Sequence, residues 1–117
     1  METVSQKSRL QPPVDAEGYL LNPEDWDERL VPDIARREGV ALNDEVWRWI
    51  RYFRSYYEDH GVHPTMHKLL REELGRGRHF HDMEGLRDHL HRLFPRAPVP
   101  TLCKLAGLPA PVGDIEE

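Results

Sequence analysis

Cysteine, long apolar runs and excess positive charge are all scarce in this sequence of 117 residues. The single cysteine, Cys103, excludes an intrachain disulfide and is typical of a reducing compartment. No apolar run approaches the roughly 20 residues of a transmembrane helix, and residues 1–7 lack the apolar core of a secretion signal. We therefore expect a cytoplasmic protein with no membrane span.

Negative charge is in excess, with 21 acidic against 16 basic residues and a formal net charge of −5. Bulk attraction to nucleic acid or anionic lipid is therefore not expected, and DNA binding would need a local basic patch. The sequence also lacks a phosphate-binding glycine loop, an HExxH motif and a nucleophile–base–acid set. These absences predict no self-contained catalytic site and no bound cofactor or metal.

Helix start and stop signals recur along much of the chain. Asn22-Pro23 and Asn43-Asp44 are typical of helix starts, whereas Gly39 and Gly61 are typical of helix ends. With the apolar spacing, these signals predict six helices. They lie near 23–29 and 31–38, between Asn43 and Gly61, and over 64–74, 82–93 and 99–106.

One segment has a different pattern. Apolar residues on both sides of Asp15-Ala16-Glu17-Gly18 predict a short hairpin or small β-meander that also involves the segment before Pro12. The predicted fold class is therefore α+β, with this β-meander or hairpin packed on an array of about five helices. We expect residues 1–13 to be a mobile tail, 14–106 a single domain and 107–117 an extended carboxy-terminal arm stiffened by prolines.

Histidines are the first candidates for a site, because imidazole is a common metal ligand. Six of the seven are paired in the sequence: His63 with His67, His79 with His81, and His89 with His91. Residues two apart on a helix point in different directions, so chelation by the last pair is not expected. No metal-binding motif accompanies them, and solvated histidines are the favoured interpretation.

Three arginines of the central helix, Arg48, Arg51 and Arg54, form a second candidate. With the turn at Gly61 and the helix after it, they outline a helix-turn-helix pattern in which arginines would contact DNA. The second helix carries acidic residues and the whole chain is acidic, so ordinary helix packing is favoured. In that interpretation the arginines pair with acidic residues on neighbouring turns.

Cys103 is the third candidate. Lys104 beside it could favour the thiolate, the form that attacks sulfur and carries it as a persulfide. Val99, Cys103 and Ala106 share one helix face, however. Composition alone therefore favours a buried cysteine that acts as a small apolar residue.

Several segments resemble the DsrC/TusE family, over about residues 14–114. The matching segments are 15–20, Trp26, 37–40, Trp47 with 50–57, 93–95 and 104–113. The last is the most specific, because it contains the arm sequence Ala106-Gly107-Leu108-Pro109-Ala110-Pro111-Val112-Gly113.

This resemblance implies a small α+β fold with a projecting arm and a cytoplasmic role in sulfur relay. DsrC proteins work with dissimilatory sulfite reductase, and TusE proteins pass sulfur toward thiolation of the tRNA wobble uridine. Both receive sulfur from protein partners. The family's carrier is a cysteine near the end of the arm, and DsrC proteins have a second cysteine upstream in the last helix.

The chain departs from that pattern at the carrier position. Cys103 matches the upstream cysteine, whereas Asp114 stands where the resemblance places the carrier. A carboxylate cannot carry sulfane sulfur or close a disulfide. Residues 75–82 also lack the family's lysine-glycine-asparagine pattern.

This departure leaves three functional hypotheses open. The first, which the sequence favours, is a regulatory or partner-binding paralogue of sulfur metabolism that has lost the carrier at Asp114. The second is a sulfur carrier that uses Cys103 for a persulfide or mixed disulfide, in sulfur oxidation or tRNA thiolation. The third is a helix-turn-helix regulator that contacts DNA through Arg48, Arg51 and Arg54. An enzymatic role is supported at most as a sulfurtransferase component.

Overall fold

The computed structural model describes residues 12–75 and 83–111. In these two ranges the chain forms five α-helices, preceded by two short 3₁₀ turns. The 3₁₀ turns are Pro23–Asp25 and Glu28–Leu30, and the helices are α1 (Val31–Glu38), α2 (Asp44–His60), α3 (Met66–Gly75), α4 (Met83–Leu93) and α5 (Pro98–Leu105). Residues 1–11, 76–82 and 112–117 lie outside the described residues, and with them most of the predicted tail, the loop and most of the arm.

The predicted α+β class is wrong for the part of the chain that the structure describes, which contains no strand and no sheet. The segment predicted as a hairpin forms an isolated antiparallel bridge between Val14 and Leu20. Asp15 makes its turn, because its carboxylate accepts hydrogen bonds from the backbone amides of Glu17 and Tyr19 at 2.9 and 3.0 Å. The bridge does not grow into a ladder, since Pro12 and Pro13 have no N–H to donate and the chain turns again at Pro23.

The helix predicted over 23–29 is also corrected. Two separately capped 3₁₀ turns take its place, with Trp26 in extended conformation after the first of them. The Asn22 side chain accepts from the Glu24 amide at 3.0 Å, and the Asp27 side chain accepts from the Arg29 amide at 2.7 Å. The second cap interrupts the helix, because an N-cap residue has non-helical dihedral angles.

The other predicted helices are confirmed, with shifts of one or two residues at their ends. The long helix α2 begins at the Asn43 cap, whose side chain accepts from the Val46 amide at 2.8 Å, and ends at Gly61 with φ +78°. Helix α3 begins at Met66, two residues later than predicted, because Thr65 and not a residue before Pro64 supplies the cap. Its hydroxyl accepts from the Lys68 amide at 3.1 Å.

Helix α5 lies at the centre of the molecule. It packs against α1, α2 and α4, and six of its eight residues are buried. The side of α2 that faces the core carries Val46, Trp49, Ile50 and Phe53, at the spacing of three and four that an amphipathic helix requires. No helix among the described residues is long and apolar enough to cross a membrane.

Candidate functional site

Cys103 lies on α5 and is completely buried, with an exposed fraction of 0%. It belongs to the same apolar cluster as Val99, Leu102 and Ala106. The predicted burial of this face is therefore confirmed. In this conformation a sulfur donor in solution has no access to the thiol.

The chain turns back at the end of α5, next to the buried cysteine. The Leu108 amide donates to the Cys103 carbonyl at 2.8 Å, and the Gly107 amide donates to the Lys104 carbonyl at 3.2 Å, while Gly107 has φ +72°. These two bonds around a left-handed glycine form a Schellman motif. In a Schellman motif the residue after the glycine, here Leu108, commonly packs near the residue whose carbonyl accepts its hydrogen bond, here Cys103. Leu108, which is 1% exposed, lies with Cys103 in one buried cluster.

Two side chains from other elements hold this turn in place. The indole nitrogen of Trp26 donates to the Leu105 carbonyl at 2.8 Å, and the guanidinium of Arg54 donates to the Ala106 carbonyl at 3.2 Å. Arg54 also lies over the Trp26 ring, 5.0 Å from its centroid. We refer to Trp26 and Arg54 together as the Trp26–Arg54 clamp.

Gly107 is in direct contact with the clamp. A Cβ atom added at this glycine would overlap the Trp26 side chain. The turn therefore needs glycine for two reasons, the positive φ and the closeness of the indole.

The ammonium of Lys104 contacts groups other than the thiol of Cys103. Its ammonium pairs with Glu38 at 3.3 Å and lies over the Tyr19 ring, 5.2 Å from the centroid. Glu38 is itself buried and also faces Arg96 at 3.7 Å. Burial raises the pKa of Tyr19 to about 12, and repulsion from the ionised forms of the nearby acidic groups of Cys103, Glu17, Asp15 and Glu38 adds to this shift.

The three arginines of α2 all make contacts within the molecule. Arg48 pairs with the buried Glu73 at 3.3 Å, and Arg51 pairs with Glu28 at 3.2 Å. Arg54 pairs with Glu58 at 3.0 Å, in addition to its place in the clamp. The predicted pairing with acidic residues on neighbouring turns is confirmed for Arg54 and for Arg48, which also lies 3.9 Å from Glu45. Contact with DNA stays a prediction, and these contacts give it no support.

Among the described histidines, His63 lines a small surface pocket together with Leu108. His89 faces Glu45 at 2.8 Å, and the His63 ring lies 2.8 Å from the Pro64 carbonyl. Across residues 12–75 and 83–111, no group of three or more metal-ligating side chains comes together. His79 and His81 lie outside the described residues, as does Asp114.

Sequence reasoning missed the clamp. Arg54 was a candidate for DNA contact, and Trp26 was only one of the residues that carry the family resemblance. Neither pattern indicates a bond to a helix end that lies 52 or 79 residues away. The one usable signal was Gly107 directly after an apolar helix, which predicts a left-handed turn but not its partners.

Fold and site together define a small helical protein whose one cysteine lies beneath the base of a proline-rich carboxy-terminal arm. Residues 6–115 match the family model described as DsrC like protein. The chain therefore belongs to the DsrC-like family, and the resemblance inferred from the sequence is confirmed.

Named relatives agree with this assignment. The sulfurtransferase TusE of Yersinia pseudotuberculosis is 36% identical over 98 residues, which cover 84% of this chain and 88% of the relative. The solution structure of DsrC from Allochromatium vinosum has a TM-score of 0.72 and 32% identity, over 87% of this chain and 88% of that chain. The oxidized gamma-subunit of the dissimilatory sulfite reductase (DsrC) from Archaeoglobus fulgidus has a TM-score of 0.70 and 31% identity, over 89% and 92% of the two chains.

Proposed function

We propose that this chain is a sulfur-relay protein that carries sulfane sulfur on Cys103. The observation that carries the proposal is chemical: Cys103 is the only cysteine of a chain whose relatives are named sulfurtransferases and DsrC proteins. A persulfide requires a thiol, and no other side chain in the sequence supplies one.

The loading step is a thiol exchange. The Cys103 thiolate attacks the outer sulfur of a persulfide on a partner protein, and its proton passes to solvent. One S–S bond forms at Cys103 while the S–S bond of the donor breaks, and the donor cysteine leaves as a thiolate. Sulfane sulfur moves without net oxidation or reduction, so no cofactor is required.

Burial of Cys103 makes access a separate step. Because the thiol is 0% exposed, attack on a donor requires that residues packed around Cys103 move first, and the turn at Gly107 and Leu108 is the segment that we propose moves. The partner is then a protein of a sulfur-relay or sulfite reductase system that presents its persulfide after the turn has opened. A buried carrier at Cys103 therefore needs an opening step, whereas a carrier at the end of the arm, at the position of Asp114, would not.

Intact mass measurement tests this proposal. Reduced wild-type protein is exposed to inorganic polysulfide beside Cys103→Ala, and Asp114→Cys serves as a positive control with a thiol at the family's carrier position. We expect wild type to gain the mass of sulfur and to lose it on reduction, and Cys103→Ala to remain unchanged. Uptake by Asp114→Cys alone would exclude Cys103 as the carrier.

A second candidate is a partner-binding or regulatory protein that carries no sulfur. The complete burial of Cys103, together with the carboxylate at position 114, favours it. In that case wild type takes up no sulfur, while it still competes with a cysteine-bearing family member for the same partner.

A further inference from the structure

Two consecutive carbonyls at the end of α5 are bound by side chains from distant parts of the chain. The last carbonyls of a helix have no partner within the helix. Here Leu105 and Ala106 receive theirs from Trp26 and Arg54, at 2.8 and 3.2 Å. Both bonds lie directly before the glycine that turns the chain over Cys103.

The two donors form one unit. Arg54 lies over the Trp26 ring at 5.0 Å, its side chain is only 15% exposed, and it also pairs with Glu58 at 3.0 Å. A cation over an aromatic face is stabilising, so each member supports the position of the other. Movement of either residue therefore removes support from both carbonyls.

We infer that Trp26 and Arg54 are positioning residues that control access to Cys103 by holding the Gly107–Leu108 turn closed. When the clamp releases, the two carbonyls lose their donors and the turn loses its contact with the indole. Leu108 then leaves the buried cluster that it shares with Cys103. This inference rests on the proposed function, because control of access to Cys103 matters for sulfur relay only if Cys103 carries the sulfur.

The rate of Cys103 alkylation by iodoacetamide, followed as intact mass, measures this opening directly. Trp26→Phe keeps an aromatic ring but removes the indole N–H, and Arg54→Gln removes the cation. Loss of one hydrogen bond changes an opening equilibrium by about five- to tenfold, and we expect alkylation to accelerate by that factor in each variant. Arg51→Gln is the matched control, because Arg51 lies one turn earlier on α2 and contacts Trp47 and Glu28 instead.

Global stability separates positioning from simple destabilisation. The free energy of unfolding in urea is measured for the same four proteins. The inference holds if both clamp variants react faster than Arg51→Gln at equal global stability. It is overturned if they react at the wild-type rate, or if the faster reaction matches a loss of global stability.

Alkylation requires no sulfur transfer, so the two proposals fail separately. Faster alkylation of the clamp variants without uptake of polysulfide sulfur would contradict the carrier and leave the clamp intact. Sulfur uptake at one rate in wild type and both variants would contradict the clamp and leave the carrier.

Discussion

The indole nitrogen of Trp26 donates a 2.8 Å hydrogen bond to the Leu105 carbonyl, and so joins the segment before α1 to the end of the last helix. Trp26 is positioned for this bond by the two capped turns around it, which leave its own backbone extended. The start of the described chain therefore determines where the carboxy-terminal arm departs. Arg54 of α2 adds a third element to the same junction.

Substitution of Gly107 tests this junction. Gly61→Ala is its matched control, because Gly61 also ends a helix with positive φ but has no atom near its would-be Cβ. The left-handed conformation alone costs alanine about 1–2 kcal/mol. In Gly107→Ala the overlap with Trp26 adds roughly 1–3 kcal/mol. We expect Cys103 to be alkylated faster in Gly107→Ala than in Gly61→Ala, and equal rates would argue against close packing at this turn.

The buried Glu38 stabilises the opposite side of α5. It pairs with Lys104 at 3.3 Å and lies 3.7 Å from Arg96. We expect Glu38→Gln to lower the free energy of unfolding by about 1–3 kcal/mol, because the amide keeps an acceptor oxygen but no longer neutralises the largely buried ammonium of Lys104. Asp33→Asn, which removes an exposed pair with Arg36 and Arg37, should cost less than about 1 kcal/mol. Urea denaturation of both variants measures the difference, and similar losses would contradict the importance of burial.

Local signals explain why the helices were predictable and the β-structure was not. The caps at Asn43 and Gly61 act within one turn of the helix that they delimit, so the sequence alone places α2 correctly. The turn at Asp15 was also visible in the sequence. A sheet, however, needs a second strand with free N–H groups, and the prolines before Val14 cannot provide them.

The site was only partly predictable for a similar reason. The burial of Cys103 follows from the apolar face of a short helix, which is a local pattern. The pairing of Lys104 with Glu38 and of Trp26 with Leu105 joins residues 66 and 79 positions apart. Such contacts arise from tertiary packing, and neither composition nor periodicity indicates them.

The raised pKa of Tyr19 predicts a change of stability at high pH. Burial, and then the negative charges nearby, raise this pKa from 10.0 to about 12. The folded state thus holds the phenolic proton more tightly than the unfolded state. This stabilisation is complete below pH 10 and is lost as the pH rises toward 12. We expect the free energy of unfolding to fall more steeply across this interval in wild type than in Tyr19→Phe, and parallel curves would refute the assignment.

Whether Cys103 is a gated sulfur carrier is tested by following sulfur uptake from a polysulfide donor over time, as intact mass, in wild type, Trp26→Phe and Cys103→Ala. We expect wild type to gain sulfur slowly, Trp26→Phe to gain it about five- to tenfold faster, and both to lose it on reduction. Cys103→Ala should gain none. If neither wild type nor Trp26→Phe gains sulfur, or if Cys103→Ala gains as much as wild type, Cys103 is not a gated sulfur carrier.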